Sequence, residues 1–210
     1  MNTDTFYEIQ ISPFDYVENS QVSFPNAPMI IFGNGASLTI PSGMLIINPN
    51  LVIEDLNILG NITLDSTSSG RTILRDVNLF GNLIINSDGI DLINSNIQGT
   101  SLSVNTKGKL MCAHSKIASA ITSGGVLDID SSELMSDSSS FAIVSSSGSC
   151  TVTNCIIYNS VGGGIFCDNG ADGVVSVNRI VNNLISSVGS SVSSGNSKTV
   201  YSKNYMISVN

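Results

Sequence analysis

The sequence predicts an all-β fold: a parallel β-helix, or solenoid, of about eight three-stranded coils over residues 30–210, preceded by an N-terminal arm or cap over residues 1–29. Three observations predict it. The segment "LVIEDLNILGN" at 51–61 returns as "TILRDVNLFGN" at 72–82, and looser copies follow. Within each copy apolar residues alternate with polar ones, the period-2 signature of half-buried strands. Ser/Asn/Asp-Gly pairs then close nearly every copy, as turns between strands do.

Aligned on one apolar anchor, the copies start at Ile53, Leu74, Leu92, Cys112, Ile129, Val152, Val175 and Val200, at spacings of 17 to 25 residues. Such a period denotes a solenoid or array. The Leu/Asn ladder of leucine-rich repeats is missing, and a chain rich in Ser, Asn, Ile and Val does not suit helical repeats. In the second full unit the three strands are "TIL", "VNLF" and "NLIIN", followed by the turn "SDG".

The corner between the first two strands carries most information. Five residues after the anchor stands a second apolar residue: Ile58, Leu79, Ile97, Ile117, Leu134 or Ile157. In a continuous strand a step of five reverses the face; a one-residue corner brings both residues inside. Two residues after the anchor stand Asp55, Asp76, Asn94, His114, Ser131 and Asn154. Asn, Asp and His are the non-glycine types enriched in the left-handed region, so positive φ is predicted there.

From about residue 30 to 210 the chain resembles the right-handed, pectate-lyase-like parallel β-helix superfamily. "VSVNRIVNN" at 175–183 and "TVTNCIIYNS" at 151–160 carry the resemblance. The shorter early coils also resemble bactofilin-type filament solenoids. The resemblance implies an architecture. Lyases of the superfamily use acidic calcium ligands with an Arg or Lys base, and its hydrolases carry Gly-His-Gly and Arg-Ile-Lys. This chain has neither hydrolase motif: "NRI" at 178–180 is followed by Val181.

Residues 1–29 differ from the rest. Phe6, Tyr7, Phe14, Tyr16 and Phe24 crowd this segment, and all five prolines lie at or before position 49. A repeat array exposes its end units, so a capping segment is expected.

Composition narrows function. Of 210 residues 41% are hydrophobic and 11% charged, with a net charge of −8 and a pI near 4.3. That balance argues against disorder and supplies no basic footprint for nucleic acid or for anionic membranes. No apolar run is long enough to span a bilayer. "MNTDTFYEIQ" has no basic or apolar region of a secretory signal. Trp is absent, which weakens a sugar-stacking platform.

Candidate chemistry is sparse. Asp55 and Asp76 share one column and would lie roughly 5 Å apart, a separation suited to a retaining glycosidase; as corner residues they also suit bonding to local amides. Asp128 and Asp130 in "LDIDSSE" point outward, about 6.5–7 Å apart along the strand, and form the fallback acid–base pair if the protein is an enzyme. Their expected neighbours, Met111, Ala113, Thr151 and Thr153, supply neither charge nor aromatic surface. His114, the sole histidine, is read as a corner residue. Cys112, Cys150, Cys155 and Cys167 fit no zinc template and face inward as free thiols, with a disulfide inside the Cys150–Cys167 coil as the alternative. "VGGGIF" at 161–166 lacks a P-loop Lys-Ser/Thr and reads as a turn. Glu54–Arg75 and Lys116–Glu133 are expected cross-coil ion pairs. No cofactor or metal is predicted.

One outward column is too apolar for a solvated face. Leu59, Phe80, Gln98, Ala118, Met135 and Tyr158 each follow the second inward residue, and stacking merges them into a stripe. Contiguous apolar patches mark contacts. The expected interface therefore comprises Leu59, Phe80, Met135 and Tyr158, with Phe6, Tyr7, Phe14 and Tyr16 of the N-terminal segment; loops or the arm of the same chain are the alternative cover. The function expected is a non-catalytic structural or attachment protein in a larger assembly, with a virion surface or minor capsid as the favoured setting. A polysaccharide-active enzyme or glycan-binding module and a self-polymerising solenoid are the alternatives.

Overall fold

The computed structural model describes residues 6–24, 27–47, 50–66, 70–167, 177–181, 183–187, 192–194 and 198–208. It is all-β, a parallel β-solenoid of about eight turns, with no helix among the described residues. Each coil contributes one strand to each of three sheets. One coil consists of Val126–Asp130, Glu133–Ser136 and Phe141–Ser145; the next consists of Ser149–Thr153, Ile156–Asn159 and Gly163–Cys167. All three pairs are parallel and in register, with Ile129 against Val152, Leu134 against Ile157 and Ile143 against Ile165.

Alternation decides what is inside. Ile53, Leu74, Leu92 and Ile129 in the first sheet, and Ile58, Leu79, Leu134 and Ile157 in the second, are fully buried. Each such side chain stabilises the fold by about 1.5–3 kcal/mol relative to exposure. Parallel strands cannot be joined by tight hairpins, so each coil must turn corners to return above itself.

The corner column has the predicted geometry. Asp55, Asp76, Asn94, His114, Ser131 and Asn154 have φ between 48° and 56°. The column extends beyond the sequence reading to Lys203, at φ 55°. The corner amides bond the next coil, as in Asp76 N–H to Ile93 O at 3.0 Å and Ser131 N–H to Thr153 O at 3.0 Å. The residue after each corner turns inward: Ser95, Ser115 and Ser132 form a buried ladder. Ser115 Oγ accepts from Ser95 N–H (3.0 Å) and Ser132 Oγ from Ser115 N–H (3.1 Å). Small hydroxyls there satisfy amides that the bend removes from the strand ladder.

Two sequence readings are corrected. The anchor column does not pass through Val200: Ile180 pairs with Val152 and Tyr201 with Ile180, while Val200 pairs with Arg179. Val175 lies outside the described residues. The unit after Cys167 is longer than its predecessors, and its own alternating apolar residues offered a false register. "SDG" at 87–89 does not interrupt a strand, because Leu83–Ile93 runs through it, bending at Asp88 with φ 58°. The described part of the N-terminal segment, read from the sequence as an arm or cap, forms a coil. Tyr7–Gln10 and Asp15–Val17 pair in parallel with Met29–Thr39, and Val22–Ser23 with Met44–Ile46. Its aromatic residues are strand formers, so the end of the stack is covered by one more coil of the same plan.

Candidate functional site

Asp128 and Asp130 lie side by side on the outer face of the first sheet, with Met111 and Ala113 below and Thr151 and Thr153 above. Asp130 is heavily engaged. Its Oδ1 accepts from Thr153 Oγ1 (2.6 Å) and Asn154 Nδ2 (2.7 Å), and its Oδ2 from Ser131 Oγ (2.8 Å). The Thr153 bond, helped by Ser131, Asn154 and the nearby His114, holds this carboxyl below its ordinary range against the opposing effect of burial. Burial, and then the charge of Asp130, push Asp128 up. The two carboxyls are thereby driven apart in acidity, as in acid–base pairs. Yet Asp130 spends Oδ1 on Thr153 and the corner residue Asn154 of the next coil and Oδ2 on Ser131, the corner of its own coil, which is a register-fixing use.

A shallow cleft of about 180 Å³ opens beside the pair, lined also by Arg71, Asp91 and Met111. Arg71 was not foreseen. It stands three coils from Asp128 and forms an ion pair with Asp91, while its Nη2 lies 2.9 Å from Met111 Sδ. Gly89 is its neighbour in the next coil, so no side chain blocks its path. Local spacing carries no signal for such a reach. With its charge matched by Asp91, Arg71 is held across the wall of the cleft.

The other candidates are placed as structural elements. Asp55 and Asp76 are corners, and the flanking pairs Arg75–Glu54 (3.2 Å) and Lys116–Glu133 (3.3 Å) are formed. His114 is a corner whose amide bonds Asp130 O at 3.3 Å. All four cysteines are buried and unbridged. Burial pushes the Cys155 thiol up to about 12 and raises Cys112. Cys150 is raised chiefly by its contact with Cys167. Among the described residues no group of three or more His, Cys, Asp or Glu could hold a metal ion.

The apolar stripe lies on the second sheet. Leu59 pairs with Phe80, and Met135 with Tyr158; these four are 40%, 45%, 52% and 41% exposed. The N-terminal coil does not fold over them. It stacks at the end and lengthens the stripe through Val17, which pairs with Thr39. Phe6, Tyr7, Phe14 and Tyr16 are exposed on that end coil. The sequence reading missed a second exposed column, Ile156, Leu184 and Tyr205, beside the stripe in the last coils. Its signal was the replacement of Asn and charged residues by apolar ones two positions before Tyr158, Ser186 and Ile207. Beside Met135 and Tyr158 a groove of about 400 Å³ is also lined by Asp137, Thr100 and Ser119. Ser119 Oγ is the buried side-chain polar atom left without a partner among the described residues.

These features define a parallel β-solenoid whose polar side chains mostly tie coil to coil and whose second sheet carries an outward column with exposed Leu59 and Phe80 at one end and Met135 and Tyr158 at the other, separated by Gln98 and Ala118. No family model matches the chain, and neither curated proteins nor solved structures give a significant match.

Proposed function

We propose that the protein is a non-catalytic structural or attachment component of a larger assembly, such as a virion surface or minor capsid component, docked through the stripe of the second sheet. One observation carries this reading. Leu59, Phe80, Met135 and Tyr158 stay exposed in one line, on a sheet whose next outward column is Asn57, Asn78, Asn96, Lys116 and Glu133 before turning apolar at Ile156 in the coil of Tyr158. A solvated sheet face has no physical need for such a line, whereas a contact does. We further propose that the solenoid is right-handed, as crossovers between parallel strands of L-residues overwhelmingly are, and of the pectate-lyase-like type that "TVTNCIIYNS" at 151–160 and "VSVNRIVNN" at 175–183 resemble.

The test is fractionation of the native source by size, comparing the wild-type chain with Phe80→Asp/Tyr158→Asp. Wild type should travel with high-mass material and the variant should not; equal distribution of a folded variant rejects the reading.

The polysaccharide-active alternative is favoured by the opposed acidities of Asp128 and Asp130. It requires turnover of an acidic or neutral polysaccharide that disappears in Asp128→Asn.

A further inference from the structure

The stripe is nearly symmetric about its own middle. Its central residues are Gln98 and Ala118, whose preceding residues Ile97 and Ile117 pair directly. Counting outward from that centre, Phe80 corresponds to Met135 and Leu59 to Tyr158. One step further, Thr39 corresponds to Ser186, and then Val17 to Ile207. Apolar therefore matches apolar and hydroxyl matches hydroxyl on either side of the central pair, where Gln98 meets Ala118. The neighbouring outward column matches Asn96 with Lys116, Asn78 with Glu133 and Asn57 with Ile156, so no like charges meet there.

Charge supplies a direction. Residues 1–70 hold seven carboxylates (Asp4, Glu8, Asp15, Glu18, Glu54, Asp55 and Asp65) and no Lys or Arg. Residues 173–210 hold Arg179, Lys198 and Lys203 and no Asp or Glu. Two copies side by side in the same direction would set the acidic end against itself. In opposite directions the acidic end of each lies beside the basic end of the other.

We propose that the occupant of the stripe is a second copy of this chain, packed face to face and antiparallel about a two-fold axis that crosses the stack between Gln98 and Ala118. The proposal rests on the reading of the stripe as a docking face and names its partner. An isologous contact needs a self-complementary patch, and the matched column is one. Its nine coil steps span about 43 Å at ~4.8 Å each. With two outward columns, roughly 15 Å wide, each copy offers about 650 Å², somewhat under the ~800 Å² per side of a standard interface. Phe80 and Met135 flank the axis, where anchors contribute most.

The experiment uses the purified full chain. Sedimentation velocity between 1 and 100 µM should show a monomer–dimer equilibrium. Phe80→Asp should raise the dimer dissociation constant about tenfold or more with an unchanged β-sheet circular dichroism spectrum. Direction is read with a short bismaleimide, wild type serving as the control for its buried thiols. A mixture of Leu59→Cys and Tyr158→Cys should cross-link between chains. Leu59→Cys alone should not, because its two copies would lie five coils apart, about 24 Å. A chain that stays monomeric to 100 µM overturns the proposal, and so does efficient cross-linking of Leu59→Cys to itself. If the monomeric wild type still enters high-mass material that Phe80→Asp/Tyr158→Asp cannot enter, self-pairing is overturned while the docking reading stands.

Discussion

Asp130 accepts a hydrogen bond from Thr153 Oγ1, its neighbour in the next coil, at 2.6 Å. The same carboxylate holds Asn154, the corner of that coil. One side chain thus fixes both the register of two coils and the bend of the upper one.

Asp130→Ala should therefore destabilise the protein by about 1 kcal/mol at pH 7, since charged acceptors contribute more than neutral ones but solvent screens this partly exposed carboxylate. The folded carboxyl is depressed, so its stabilisation is present above the ordinary carboxylate value, about pH 4, and is lost as pH falls through the folded value. Urea unfolding at pH 7 and pH 3 checks this. The gap between wild type and variant should narrow at pH 3; a constant gap rejects the electrostatic part.

Asp128 has the opposite sign. Its folded carboxyl is raised by burial and by Asp130, so its favourable contribution belongs to the protonated form and is lost as pH rises through the folded value. Asp128→Asn should then raise stability at pH 7 by up to about 0.5 kcal/mol, a value kept small by solvent screening. The gain should vanish below about pH 4. A variant less stable than wild type at pH 7 contradicts this.

The buried thiols predict an alkaline weakness. Cys155, raised to about 12, is fully stabilising below the ordinary thiol value of about 8.5. That contribution declines as pH rises towards the folded value. Cys155→Ser places a hydroxyl in the column already occupied by Ser95, Ser115 and Ser132, so the variant should fold. Thermal melts from pH 8 to 11 should show a shallower loss than wild type; parallel curves reject the assignment.

Two serines on the same wall make a controlled contrast. Ser119 Oγ is buried without a partner, whereas Ser115 Oγ accepts from Ser95 N–H and donates to Ala113 O. Ser119→Ala should be neutral or stabilising by about 1 kcal/mol, and Ser115→Ala destabilising by about 1–3 kcal/mol. Chemical denaturation of both variants decides it, and equal losses would show that Ser119 is satisfied in solution.

The sequence by itself determined the solenoid, its inward columns and its corners. In a stack each coil touches only the next, so a pattern recurring about every 20 residues translates directly into contacts. Asn94 and His114 were legible as left-handed corners because few residue types tolerate that bend. The exposed stripe at Phe80 and Tyr158 was legible for the same reason, since alternation alone assigns a face. The tertiary structure decided what depends on reach or on irregular length. Arg71 meets Asp91 and Met111 because Gly89 leaves a path across coils, and sequence spacing contains no such information. The register after Cys167 passed to Ile180 and Tyr201, because several alternating apolar residues could serve as the anchor and only pairing with Val152 selects one. The acidities of Asp128 and Asp130 diverged for a similar reason. Their spacing is symmetric, but the hydroxyl and amide donors of the next coil surround only one of them.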